Sequence, residues 1–379
     1  MLSSYYQGKN ILVTGHTGFK GSWLSLWLAE LGARVHGLSI GPTAEPTLHE
    51  LLDPAIFESQ RVCDTRDYEA LKEAIVEIQP EIIFHLAAQA LVIQSYEDPL
   101  ETFGSNATGT ANLLEAIRTT GTRCITLVVT SDKCYENKEW EFAYRETDAL
   151  GGHDVYSMSK AATELVAASW NRSFFADDAG LGPVVTARAG NVIGGGDYAA
   201  NRIVPDSIRA LIDGKPIEIR NPSAIRPWQH VLECLGGYLC LVESLARLGK
   251  NSAVDSPFNF GPDPDAVQPV SSLVEEILAT WPGDWIDRSD PDAVHEANLL
   301  TLSTDKARHL LGWAPVWGFQ KGIRATVEWY RHRHRTPGGE PDMEAFSRAQ
   351  LRQYMADAAE KGLLTAPPPT GEIPLASAS

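Results

Sequence analysis

Gly15-His16-Thr17-Gly18-Phe19-Lys20-Gly21 decides how this chain folds. It follows Asn10–Thr14, an apolar run that predicts a short buried strand. It leads into Trp23, Leu24, Trp27, Leu28 and Leu31, whose spacing predicts an amphipathic helix with its apolar residues on one face, ended by Gly32. Glycines between strand and helix permit a tight turn and a close backbone approach, while the first helical N–H groups point at an anion. Gly15, Thr17, Gly18, Phe19, Lys20 and Gly21 are therefore expected to hold a dinucleotide pyrophosphate. The plainer alternatives are a glycine turn without a ligand and an exposed first-turn lysine.

Outward from this turn, strands and helices alternate. Arg34–Ser39, 81–86, 124–131 and Val184–Ala189 read as strands, and 70–78, 106–118 and 156–170 as helices. That alternation predicts an α/β fold: a Rossmann-type doubly wound parallel sheet covered on both faces. After Gly190 the pattern breaks at Gly194-Gly195-Gly196-Asp197 and in Pro-rich loops, with shorter elements near 204–212, 216–220 and 270–281. The expected division is a dinucleotide-binding domain at 1–190, with segments near 230–262 returning to it. A smaller C-terminal α/β substrate-binding domain takes up 191–338. A C-terminal extension follows at 339–379, its Pro-, Ala- and Ser-rich end from Leu364 expected to be disordered.

The formal net charge of −17 over 379 residues argues against a nucleic-acid partner, whose binding surfaces are usually basic. A local arginine or lysine pocket can still take an anionic ligand. No run of roughly 18 apolar residues predicts a membrane span, and Met1–Asn10 has no signal-peptide core. The five cysteines are odd in number and lack Cys-x-x-Cys spacing, so disulfides and metal are not expected and a cytoplasmic location is.

At the end of the second strand, Ser39 occupies the place where an Asp or Glu often meets the adenosine ribose. A serine can still bond a 2′-hydroxyl, and no arginine stands between Ile40 and His49 to favour a 2′-phosphate. NAD is therefore expected rather than NADP.

Two groups carry chemistry. Tyr156 and Lys160 form a Tyr-x-x-x-Lys pair on one helical face. An ammonium near a phenol favours phenolate, which can take a hydroxyl proton while hydride leaves the same carbon. Lys160 can also bond the nicotinamide ribose. Thr130-Ser131-Asp132-Lys133 ends a predicted strand, the edge where open α/β sheets bind ligands. Ser131 can bond the reacting hydroxyl, and Asp132 and Lys133 supply an acid and a base. Plain oxidation or epimerisation needs only Ser131, Tyr156 and Lys160, whereas an elimination needs the extra pair. The alternative for Asp132-Lys133 is a solvated turn.

The glycine turn, Leu86-Ala87-Ala88-Gln89, Asn106, Gly109–Ala116 and Tyr156/Lys160 together resemble the extended short-chain dehydrogenases. His16–Trp23, Thr130–Asn137, Arg188–Asp197 and Ile225–Val231 further resemble the CDP-glucose branch of the nucleotide-sugar 4,6-dehydratases. The resemblance runs from about Lys9 to Trp329. It implies oxidation at C4 of a nucleotide-diphosphate hexose with Tyr156 as base, loss of water across C5 and C6, and hydride return to C6. It also implies NAD contacts by Leu86, Ala87, Ala88, Asn106 and Thr130, and an adenine contact by Asp64. Other branches carry glutamate where Lys133 stands, so Asp132 is assigned as acid and Lys133 as base. Substrate contacts are expected from Gln89, Asn191, Arg202 and Arg226, each with a structural alternative: strand cap, turn or surface loop. Relatives commonly form homodimers, some of them tetramers, through the helices at 106–118 and 156–170. The competing readings are a 4-epimerase or dehydrogenase that leaves Asp132-Lys133 idle, and a non-catalytic dinucleotide-binding regulator.

Overall fold

The computed structural model describes residues 5–42, 46–178, 180–289, 299–335 and 340–364. Its centre is a parallel sheet of β1 (Asn10–Thr14), β2 (Arg34–Ser39), β3 (Phe57–Val62), β4 (Ile82–His85), β5 (Ile125–Val129), β6 (Val184–Ala189) and β7 (Phe258–Phe260). Its seven strands lie in the order β7-β6-β5-β4-β1-β2-β3. The chain winds one way from β1 to β3 and the other from β4 to β7. The strand order therefore reverses between β1 and β4, where such sheets open a ligand crevice at the strands' carboxyl ends.

Alternate residues along the inner strands feed two cores. Ile11, Val13, Ile82 and Phe84 join one apolar cluster, and Leu12, Ile83 and Val128 join the other. This is why the strands read as unbroken apolar runs: a parallel sheet is buried on both faces. The helices on one side are α1 (Phe19–Glu30), α6 (Val231–Leu248), α8 (Phe319–Arg335) and α9 (Met343–Glu360). On the other lie α2 (Tyr68–Ile78), α3 (Gly109–Thr120) and α4 (Val155–Trp170). Between them in sequence, α5 (Ile203–Ile212) and α7 (Val270–Thr280) pack on short two-stranded pairings such as 217–219 with 285–287.

Two sequence expectations are corrected, and one strand has no counterpart among them. Strand β3 has no apolar signal because it is the sheet edge, exposed along most of its length, with Glu58 and Arg61 on it. Charged side chains suit an edge that must not pair further. Helix α1 is not amphipathic: every residue from Gly21 to Leu28 is buried. Helix α9 covers its outer side, with Trp27 and Tyr354 in edge-to-face contact at 5.6 Å and Arg348 and Arg352 both bonded to Glu30. The expected disorder from Leu364 does not include Leu364, which is buried in the same core; the rest of that segment, 365–379, lies outside the described residues.

Candidate active site

The glycine turn is built by close approach. Gly15 has φ +71, and a Cβ there would stand 2.8 Å from the amide N of Ala87 in the loop after β4. A Cβ on Gly21 would overlap the Gly15 carbonyl oxygen. Gly18 caps α1, so the free N–H groups of that helix face the crevice. Thr17 Oγ1 lies 2.6 Å from Ser39 Oγ, which accepts from Gly41 N at 3.0 Å, so the turn is tied to the tip of β2. Leu86, Ala87 and Ala88 are half-buried at the tip of β4, where Ala87 N donates to Thr14 Oγ1 at 3.2 Å.

His85 bonds Thr14 through Nδ1 at 2.7 Å and Thr110 through Nε2 at 3.1 Å. Burial, and then the charge of Lys160, lower its pKa to about 3, so it stays a neutral connector. Asn106 sits in a π-helical turn, Gly104–Thr108, a feature frequent at functional sites. Its amide takes Gln89 N at 2.8 Å and donates to Gln89 O at 3.0 Å and Ser159 Oγ at 2.8 Å. The Gln89 amide bonds Leu91 and Thr102 in turn. Both side chains, expected at ligands, are engaged in fastening the β4 loop. Asp64, at the tip of β3, is held by the Arg66 guanidinium and by Arg66 N at 2.9 Å, and those bonds lower its pKa.

The groups expected to react lie beyond β5. Ser131 Oγ donates to Asp132 Oδ1 at 2.9 Å and accepts from Lys133 N at 3.2 Å, forming the cap of a single 3₁₀ turn. Asp132 is buried, 5% exposed, so it does not face bulk water. Gly190 makes room for it: a Cβ there would lie 2.7 Å from Asp132 Oδ2. Lys133 is half-buried, and its ammonium has no partner among the described residues. Helix α4, capped by Asp154, presents Tyr156 and Lys160 to the same space.

The electrostatics differ from expectation. Burial raises the Tyr156 phenol to about 12; Ser131 hydrogen bonding and the charge of Arg202 pull it down, while Asp132 and Asp154 push it up. Lys160 is not among the groups that move it most. Burial and then the charge of Lys20 lower Lys160 to about 8. Two lysines from different helices thus stand near enough to repel, which raises the cost of charging both.

Arg202, at the start of α5, donates to Asp197 Oδ2 at 2.9 Å and lies close enough to Tyr156 to act on its proton. The Asn191 side chain is half-buried without a hydrogen-bond partner among the described residues. Arg226 donates to its neighbour's carbonyl, Ile225 O, at 2.9 Å, on a strand paired with Val267–Pro269.

Sequence reasoning missed the support behind Thr130–Lys133. Thr130, expected at the cofactor, donates to Glu164 Oε1, and Glu164 pairs with Arg188 at 2.7 Å. Arg188 reaches Tyr135, which donates to Asn259. The available signals were an arginine inside the apolar strand Val184–Ala189 and a glutamate one turn beyond Lys160.

The site fits a dinucleotide: a side-chain-free cradle against Ala87, a helix N-terminus, and the Lys20 and Lys160 side chains, whose nitrogens have no hydrogen-bond partner among the described residues. Fold and site define a dinucleotide-binding α/β enzyme in which Ser131, Asp132 and Lys133 on one turn stand near Tyr156 on α4. Residues 11–255 match the NAD dependent epimerase/dehydratase family, and the chain belongs to that family. It is 42% identical to CDP-glucose 4,6-dehydratase of Salmonella typhimurium over 359 residues, 93% of this chain and 98% of the relative. A probable dTDP-glucose 4,6-dehydratase of Sinorhizobium fredii is 30% identical, over 84% of this chain and 92% of the relative. Among solved structures, UDP-glucose 4-epimerase of Thermus thermophilus in complex with NAD superposes with a TM-score of 0.70 at 26% identity. That match covers 85% of this chain and 98% of the epimerase. The expected cofactor, NAD, and the expected doubly wound sheet are both borne out.

Proposed function

We propose that the protein is a nucleotide-sugar 4,6-dehydratase acting on CDP-glucose and yielding the 4-keto-6-deoxy sugar. The observation that carries this is the buried Asp132 carboxylate, bonded to Ser131 and close enough to Tyr156 to raise its pKa. Oxidation alone has no use for a buried carboxylate at that place. The preference for CDP rests on likeness to the Salmonella relative and on Asp132-Lys133 standing as an Asp-Lys pair.

In this scheme Tyr156 accepts the C4 hydroxyl proton, with Ser131 bonding the same oxygen and Arg202 favouring the phenolate. Bound NAD supplies hydride acceptance and return. The 4-ketone acidifies the C5 hydrogen. For this step Asp132 enters as the neutral acid and Lys133 as the neutral amine. Lys133 removes the C5 proton, Asp132 gives its own proton to the departing C6 hydroxyl so that one water leaves, and Lys133 returns a proton to C5 when C6 is reduced. Lys20 and Lys160 hold the cofactor's phosphates and ribose. Ser39 and Asp64 meet its adenosine half. Asn191, Arg202 and Arg226 serve the sugar diphosphate, where arginine forks suit phosphate oxygens.

Incubation with CDP-, dTDP-, GDP- and UDP-hexoses, with mass detection of one lost water, tests the assignment. Dehydration of CDP-glucose is expected. Accumulation of an epimer or of an unreduced 4-keto hexose without water loss would overturn it. With Lys133→Ala, normal solvent exchange at C5 would remove Lys133 from the base role.

We further propose a homodimer in the cytoplasm. Exposed Tyr96 and Leu100 stand on the short helices Val92–Glu97 and Pro99–Phe103, Met158 and Leu165 on α4, and Phe174 on the π-helical turn after it; exposed apolar side chains on these elements suit an interface. All five cysteines are free and buried, and among the described residues no helix is long and apolar enough to cross a membrane. Light scattering that gives a monomer would end the dimer assignment.

A further inference from the structure

We propose that Glu164 and Arg188 are positioning residues that hold the Ser131–Lys133 turn against the Tyr156/Lys160 helix, so that elimination follows oxidation. The inference rests on the dehydratase reading and adds residues to it.

The ion pair is buried at both ends, with each side chain 2% exposed. Glu164 Oε1 accepts from Thr130 Oγ1, and Oε2 accepts from Thr186 Oγ1 and Arg188 Nη2, each at 2.7 Å. Arg188 Nη1 donates to Tyr135 OH at 2.7 Å and to Glu146 O at 3.1 Å, with the guanidinium lying 4.9 Å over the Tyr135 ring. Tyr135 OH then donates to Asn259 Oδ1 at 2.8 Å, on β7.

Thr130 and Tyr135 flank the segment that carries Ser131, Asp132 and Lys133. Both ends of that segment are therefore tied to one ion pair. Glu164 stands on α4, one turn past Lys160 and two past Tyr156 on the same side. The pair joins the two halves of the proposed chemistry: phenol and lysine on the helix, acid and base on the turn. A pair this deeply buried adds little stability over well-packed apolar residues, because desolvation offsets attraction. Its directional bonds set where the turn sits, and misplacement of about 1 Å can cost on the order of a hundredfold in rate.

The test compares wild type, Glu164→Gln and Tyr135→Phe in single turnovers with NAD and CDP-glucose. Reduced-nicotinamide absorbance follows C4 oxidation, solvent-deuterium incorporation at C5 follows proton removal, and fluorescence titration measures NAD affinity. In both variants NAD affinity should hold and the oxidation signal, which shares only Ser131 with the turn, should fall much less than C5 exchange and water loss, which drop roughly tenfold or more. Oxidised, undehydrated sugar should accumulate. A parallel fall in both steps, or a lower melting temperature with unchanged partition, overturns the proposal. Should Glu164→Gln not fold, Tyr135→Phe, which keeps the ring and the ion pair, decides alone. A wild type that oxidises without losing water overturns both this proposal and the dehydratase reading. A dehydrating wild type with uniformly slowed variants overturns this proposal only.

Discussion

Asn106 and Gln89 are joined twice, through Gln89 N to Asn106 Oδ1 at 2.8 Å and Asn106 Nδ2 to Gln89 O at 3.0 Å. The same Nδ2 reaches Ser159 Oγ on α4, so one buried amide links the β4 loop to the helix that bears Tyr156. Replacing it with leucine leaves the buried Gln89 N and O unmatched, while Ser159 Oγ keeps its bond to Tyr156 O. Asn106→Leu should lower unfolding free energy by about 3 kcal/mol in denaturant titration and weaken NAD binding. Undiminished stability would show that the loop is held by other bonds.

Gly21→Ala tests the cradle. The added methyl overlaps the Gly15 carbonyl oxygen, so the turn must shift away from the phosphate position. NAD affinity should fall by at least about tenfold, a loss of roughly 1.4 kcal/mol, with the circular dichroism of the sheet retained.

Lys160 predicts a pH dependence. Its pKa falls from 10.5 to about 8 in the fold, so its charge opposes folding. The penalty is fully present below about 8 and disappears as pH rises towards the unfolded value, an effect of roughly 3 kcal/mol in all. Relative to Lys160→Met, the wild type should gain stability between pH 8 and 10.5. Over the same rise the ammonium is lost, so NAD affinity should drop in the wild type and stay flat in the variant.

Tyr330 on α8 donates its hydroxyl towards Asp197 O and Gly194 O, at 2.5 and 3.2 Å, beneath the loop whose Asp197 pairs with Arg202. Tyr330→Phe should cost about 1 kcal/mol of stability and raise the KM for the sugar nucleotide, with NAD affinity unchanged. A change in NAD affinity instead would assign the loop to the cofactor.

The α/β fold was legible because the chain alternates short apolar runs with helical periodicity and sets a glycine turn after the first strand. Tyr156 with Lys160, and Ser131 with Asp132-Lys133, could be proposed from sequence because their spacing suggests a chemistry that survives in one dimension. Edge strand β3 was not, since an edge buries only part of one face. Helix α1 misled because its outer cover, α9, lies more than three hundred residues along the chain.

The larger difference lies in charge and partners. Composition and spacing could name Tyr156 and Lys160, but the expected pull of Lys160 on the phenol depends on distances that no spacing supplies. Folding sets Arg202 and Asp132 beside Tyr156 and Lys20 before Lys160. It likewise turns the Asn106 and Gln89 amides onto the protein itself and places Glu164 and Arg188 behind the reactive turn. Local patterns specify elements because backbone preferences and periodic burial act over a few residues. Proton affinities and buried pairs arise between residues far apart in sequence, and so take their values only when the chain is closed around them.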